Sequence, residues 1–194
     1  MATISLTFTT QQEIARAGSG ASSAWSGDAI SDDNNYCAHT DTVASGTRYT
    51  DWLVLSNCSP GKSVIGDTAL ISDILLLFRR RDTATGEVGV AVTVSLVHIS
   101  KTLGSSPDGT GQTGGIEWPA AEDIDNSSFA GMWGHASITG AELKASTFSC
   151  WLSASVTDTV LDTSLPEVDR IAIQVTYANQ SAGNRIFNLL KKVS

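Results

Sequence analysis

Oxygen ligands crowd one stretch of this sequence: Asp28, Asp32, Asp33, Asn34 and Asn35. Hard carboxylate and amide oxygens in one loop are the chemistry calcium takes. The spacing lacks the glycine and terminal glutamate of an EF-hand, so a polar turn held by Asx side chains is the competing reading. A second acidic group, Glu117, Glu122, Asp123 and Asp125, offers carboxylates of the kind that work in pairs on glycosidic bonds. Nothing in the spacing sets two of them at a catalytic separation. His39, His98 and His135 are scattered and share no metal spacing. No serine sits in a G-x-S-x-G elbow. The expectation is no enzyme, no catalytic residues and no cofactor, with calcium at Asp28, Asp32 and Asp33 as the one weak metal option.

Aromatic chemistry is better represented. Trp25, Trp118 and Trp133 sit near loops, where an exposed indole stacks on a sugar ring, so they are the candidate glycan contacts. Trp52 and Trp151 lie inside strand patterns and read as packing residues. Cys37, Cys58 and Cys150 are an odd set without C-x-x-C spacing, so buried reduced thiols are expected rather than a disulfide framework or a zinc site. Cys150 lies within an apolar strand, where a thiol is packed and not activated.

The elements that must position these side chains are strands. The organising stretch is 70–81, Leu-Ile-Ser-Asp-Ile-Leu-Leu-Leu-Phe-Arg-Arg-Arg. Leu70, Ile74, Leu76 and Phe78 share one face, with Ser72 as a small polar gap, and Ile71, Asp73, Leu75 and Leu77 share the other, much of it apolar too. A strand apolar on both faces belongs in the middle of a layered β structure. Its arginines are expected to leave the core at once. The stretch 89–100 places Val90, Val92, Val94, Leu96 and His98 on one face and is expected to pair with 70–81 as a hairpin. Further strands are read at 4–9, 36–42, 50–56, 148–156 and 168–178. Asn57 to Gly61 reads as a turn, 102–115 as a long surface loop, and Thr139 to Leu143 as one capped helical turn.

Both ends are read as additions to the domain. Thr10 and Glu13 have capping-box spacing, so 11–17 is expected to be helical before a flexible 18–23 linker. Near the other end Ile186, Leu189, Leu190 and Val193 recur at helical spacing, with Phe187 beside them and Lys191 and Lys192 suited to the helix C-terminus. That stripe needs a surface to pack on. The expected organisation is an arm at 1–23, a β-sandwich domain at 24–179 and an amphipathic tail at 180–194.

Composition bounds the function. Only 16% of residues are charged, and the net charge is −8. That charge argues against a sequence-independent grip on nucleic acid or on an anionic membrane. The N-terminal residues show no basic, then apolar, leader pattern, so manufacture in a cytoplasm is expected.

One ordered set of residues resembles a known family. It runs Trp25-(x)2-Asp28-Ala29, Asp33-(x)2-Tyr36-(x)-Ala38, Asp51-Trp52-Leu53-Val54-Leu55 and Ile65 through Arg81. It continues with Met132-Trp133-Gly134, Thr139-(x)3-Leu143-(x)4-Phe148 and Val168-Asp169-Arg170-Ile171-(x)-Ile173-(x)-Val175-(x)-Tyr177. This order is similar to a β-sandwich module of bacteriophage virion proteins, found as fibre, decoration or other surface components. The likeness covers about 25–177 and leaves out both arms and the 102–115 loop; the stretch at Asn57 to Gly61 is shorter than the module's own.

The resemblance implies an all-β, antiparallel, jelly-roll-like sandwich and a place on a virion assembled after synthesis in the host cytoplasm. The expected function is a non-enzymatic structural protein, a homo-oligomer with a trimer favoured. A capsid decoration or cement protein touching the major capsid protein is preferred over a tail fibre. Ile186, Phe187, Leu189, Leu190 and Val193 are the expected assembly residues. The alternative is a carbohydrate-binding module or receptor-binding fibre that contacts host glycans.

Overall fold

Alternation of apolar and polar residues carries the chain into strands through most of what a computed structural model describes, namely residues 1–16, 25–31, 33, 36–39, 46–59, 61–82, 91–112, 124–158 and 166–180. In chain order the strands are β1 (Ala2–Ile14), β2 (Trp25–Ser26), β3 (Cys37–His39), β4 (Gly46–Tyr49) and β5 (Trp52–Ser59). Then come β6 (Leu70–Asp82), β7 (Ala91–Ser100), β8 (Ile124–Phe129), β9 (Ser149–Asp158) and β10 (Pro166–Ala178). A short helix, α1 (Gly140–Lys144), and a 3-10 turn (Lys62–Val64) interrupt them.

All pairings are antiparallel. The path runs β2-β3-β10-β1-β5-β9-β4, with β6 between β10 and β8 and β7 on β9. Residues from strands far apart on this path nevertheless share one core: Phe78 and Phe129 of β6 and β8, Leu6 and Phe8 of β1, and Ile99 and Leu152 of β7 and β9. The sheet is therefore strongly curled around a single apolar interior. Each large side chain sealed there contributes about 1.5–3 kcal/mol over its exposed state.

β1 holds the two halves of the curl together. Ala2 to Thr7 pair with β10, and Thr7 to Ile14 pair with β5. The helical turns expected at 11–17 do not form, since Gln11 to Ile14 continue the strand. Nor is the described part of the expected arm peripheral, because β1 lies between β10 and β5.

β6 takes the central place expected of it, flanked by β10 and β8. Both of its edges are thereby occupied, and the expected hairpin with β7 does not form; β7 pairs with β9 instead. Ser72, the polar gap in the pattern, is the extra residue of a bulge: Thr176 pairs with Asp73 and Tyr177 with Ile71. The bulge inverts the alternation, so Ile71 turns inward (5% exposed) and Leu70 outward (48%). The arginines do not all leave the core. Arg80 is 3% exposed with its guanidinium 4.8 Å from the Phe78 ring, and Arg79 Nη1 bonds the buried Asp169 carboxylate at 3.0 Å.

In β7 a second bulge falls between Val94 and Leu96. Val97 and Ile99 face the main core, while Leu96 packs on a separate cluster of Trp52, Val54 and Trp151 on the other side of the sheet. β5 has the two faces its sequence shows, Leu53 and Leu55 inward and Trp52 and Val54 outward. The turn expected at Asn57 to Gly61 starts late: Asn57 to Ser59 remain in β5 with Cys58 buried, and Gly61 makes the turn at φ 92°.

Candidate functional site

Two of the three candidate sugar-stacking indoles are packed away. Trp25 is 8% exposed and donates Nε1–H to the Asp51 carbonyl at 2.9 Å. Trp133 is 3% exposed, sits at φ 53° between Gly131 and Gly134, and donates its indole N–H to the Ile74 carbonyl at 2.9 Å. Neither presents a face to a ligand, so both are corrected from glycan contacts to core anchors. Trp118 lies outside the described residues. Trp52 and Trp151 are buried, as strand tryptophans are expected to be.

Asp28 behaves as an Asx turn: one carboxylate oxygen accepts from Ile30 N at 2.7 Å and the other from Ser31 Oγ at 3.2 Å. Asp33 is exposed, and Asp32, Asn34 and Asn35 lie outside the described residues. Among the described residues no three of His, Cys, Asp and Glu gather into a metal site. Of the acidic set, Asp125 stands in β8 opposite Arg79, and Glu117, Glu122 and Asp123 lie outside the described residues. The expected assembly residues Ile186, Phe187, Leu189, Leu190 and Val193 lie outside the described residues too.

The thiols are all free and buried. Burial pushes Cys58 up to about 12, against a partial offset from Lys62. Burial does the same to Cys37, up to about 12, although a Gln11 hydrogen bond opposes it. Cys150 is raised further by complete burial. Thiols held in this state are neutral packing groups, not nucleophiles.

A cluster that sequence reading missed lies on the outer face of the β5–β9–β7 half. Trp52 and Trp151 meet edge to face with ring centroids 6.0 Å apart, and His98 lies 5.6 Å from Trp52 in the same manner. The Arg16 guanidinium sits 4.5 Å from the Tyr49 ring and 5.0 Å from that of Trp52, and its Nη1 donates to Ser153 Oγ at 2.7 Å. Ser153 Oγ in turn donates to the Thr50 carbonyl at 2.8 Å. Burial, then the nearby Arg16 charge, lowers the His98 pKa, with Asp108 partly opposing. Cation–π contacts and buried hydroxyls tie the end of β1 to β4, β5 and β9 here. Arg16, Ser153 and Thr50 bond within this cluster, while His98 Nδ1 is buried with no hydrogen-bond partner among the described residues. Only the alternation of Trp52 and Val54 with Leu53 and Leu55 hinted at it in the sequence.

The loop expected at 102–115 is pinned over its described part. Asp108 accepts hydrogen bonds from Ser100 Oγ and, at 2.8 Å, from Lys101 N. Gln112 exchanges backbone hydrogen bonds with Val97, and Thr110 N donates to the Trp133 carbonyl at 2.9 Å. The loop thereby joins β7 to the turn after β8.

Unsatisfied apolar surface gathers at one end of the sheet. Met1 is 96% exposed, Val64 57% and Leu70 48%. Beside them a recess of about 300 Å³ is lined by Met1, Ala2, Tyr177, Ala178 and Asn179. Asn179 closes over the neighbouring turn, its Oδ1 accepting from Gly66 N at 2.9 Å. The end where β1 begins and β10 finishes thus exposes Met1, Val64 and Leu70 beside an open recess of mixed polar and apolar lining. Compared with known proteins, the chain matches no family model and no curated sequence.

Proposed function

We propose that this protein is a non-enzymatic structural component of a bacteriophage virion surface, working as a homo-oligomer with three copies favoured. In this reading it is a capsid decoration or cement protein, made in the host cytoplasm and seated against the major capsid protein. The two halves of the curl, β8–β6–β10 and β5–β9–β7, are then the two sheets of a jelly-roll-like sandwich, with β1 shared between them. The observation that carries the reading is the open apolar end formed by Met1, Val64 and Leu70. Large apolar side chains exposed together, Leu70 on β6, Val64 on the 3-10 turn and Met1 ahead of β1, mark a surface that other protein covers. The ordered likeness of 25–177 to virion modules supplies the setting. Burial of Trp25 and Trp133 weighs against the glycan-binding alternative.

The test is solution mass by light scattering at micromolar concentration. A particle of roughly three times the 20.3 kDa chain is expected. A mass that stays at one chain up to the highest soluble concentration would overturn the homo-oligomer.

A further inference from the structure

We propose that the outer face at this end of the sheet is the seat for the C-terminal segment, 184–194, of a second copy of the chain. This deepens the assembly reading and rests on it.

The seat is a row across three strands. Ala178 pairs with Leu70 on one side. On the other side Ala2 pairs with Tyr177, which brings Met1, one residue earlier, beside Ala178. Tyr177 and Ile71 point into the core, so Ala178 and Leu70 point out. Leu70 does so only because the Ser72 bulge inverts the strand; without it the alternation of β6 would bury this leucine. A register shift that turns a leucine into solvent places an apolar group where a partner can reach it. Ser72 Oγ then bonds the Thr176 carbonyl at 3.2 Å and lies 3.8 Å from the Met1 sulfur, fixing the corner of the row.

The occupant follows from where the chain goes next. Two residues past Ala178 the described chain ends, and the sequence beyond it carries Ile186, Leu189, Leu190 and Val193 at helical spacing. A helix of this length gains its stability from packing its stripe on something. Lys191 and Lys192 fall within it, and Asp73 is on the outer face beside the row, a complementary charge.

A second copy suits the seat better than the same chain. Asn179 is held by Gly66 N and donates toward the Val64 carbonyl at 3.4 Å, so the exit is drawn over the 61–66 turn and past the row. The link 180–183 reaches at most about 14 Å, and a helix starting from its end would have to double back to cover Ala178. A neighbouring copy receives it without reversal, and reciprocal exchange closes a ring.

The experiment mixes two single variants, Leu70→Cys and Leu190→Cys, under mild oxidation. The native thiols are buried and stay silent. A disulfide-linked pair of chains is expected in at least tenfold excess over the pair from Leu103→Cys and Leu190→Cys, since exposed Leu103 lies outside the row. Leu70→Asp, at an exposed position, should abolish the oligomer and leave the near-UV circular dichroism of the folded chain unchanged. An intrachain disulfide in the Leu70→Cys/Leu190→Cys double variant, with none between mixed chains, would show a tail docked on its own sheet and overturn the proposal. So would an unchanged oligomeric mass for Leu70→Asp. In either case an oligomeric wild type leaves the assembly reading standing, whereas a monomeric wild type removes the assembly reading itself.

Discussion

At the scale of single residues, His98 has the environment least suited to its charged form. Its Nδ1 is buried with no hydrogen-bond partner among the described residues, and its ring lies edge-on to Trp52. Burial and then Arg16 lower its pKa, with Asp108 opposing. The sign follows from linkage. The unfolded chain takes up this proton near pH 6.5 and the folded chain at lower pH, so stability is full above about pH 6.5 and declines as pH falls through that value. Asp108 and Glu142 also have lowered pKa values, the first despite desolvation and the second chiefly through the Thr139 backbone hydrogen bond. Their stabilisation is lost only in the more acidic carboxylate range, so the two windows separate. His98→Gln should flatten the fall in urea midpoint between pH 7.5 and pH 5; an identical fall in wild type and variant would remove His98 as its source. The packed character of His98 was legible from its place in an apolar strand. Its partner was not, because the bulge between Val94 and Leu96 decides which face of β7 meets Trp52.

At the scale of elements, the same four-residue spelling, Thr-x-x-Glu, occurs at Thr10 and at Thr139 with opposite results. At Thr139 it is a complete capping box: Thr139 Oγ1 accepts from Glu142 N at 3.2 Å, and Glu142 Oε2 accepts from Thr139 N at 2.7 Å. The flanking Ile138 and Leu143 occupy staple positions and are both fully buried. At Thr10 the corresponding positions are Thr9 and Ile14, and no staple exists. There the Glu13 carboxylate accepts from Trp25 N, and the Gln11 side chain bonds Gly27 O and Ala29 N. Local motif reading found both boxes, but tertiary pairing decided between them. The missed bulge at Ser72 has a similar cause, since a register shift belongs to two strands and only one is visible in a local pattern. Thr139→Ala should cost about 1 kcal/mol in chemical unfolding, with Thr139→Ser restoring most of it. Gly140→Ala should cost more, because a Cβ there runs into the Gly66 carbonyl oxygen and sits 3.0 Å from Ile65 Cγ2. A variant as stable as wild type would show that α1 yields freely, contrary to its anchorage by Gly140 N on the Ala69 carbonyl at 2.9 Å.

At the scale of the molecule, the first strand closes the fold on the last strand among the described residues, with Ala2 opposite Tyr177. Such long-range pairing must wait for the whole chain and places folding in the slow, high-contact-order regime. It also makes β1 indispensable in a way that a sequence reading of short alternation plus a helical arm does not suggest. Removing 2–14 deletes Leu6 and Phe8, both fully buried, and strips β10 and β5 of a shared neighbour. Truncating such side chains alone costs about 2–5 kcal/mol each, and the lost backbone pairing adds to this. A domain of ordinary stability has only about 5–15 kcal/mol in total. The 2–14 deletion should therefore show no cooperative urea transition, and adding a peptide of residues 1–16 should restore one as β1 re-enters between β10 and β5. Deletion of 181–194 should lower the oligomeric mass and keep a cooperative urea transition, its midpoint falling only by what the lost association contributed. A cooperative transition at the wild-type midpoint after loss of 2–14 would mean that the two halves of the curl hold together without their common strand.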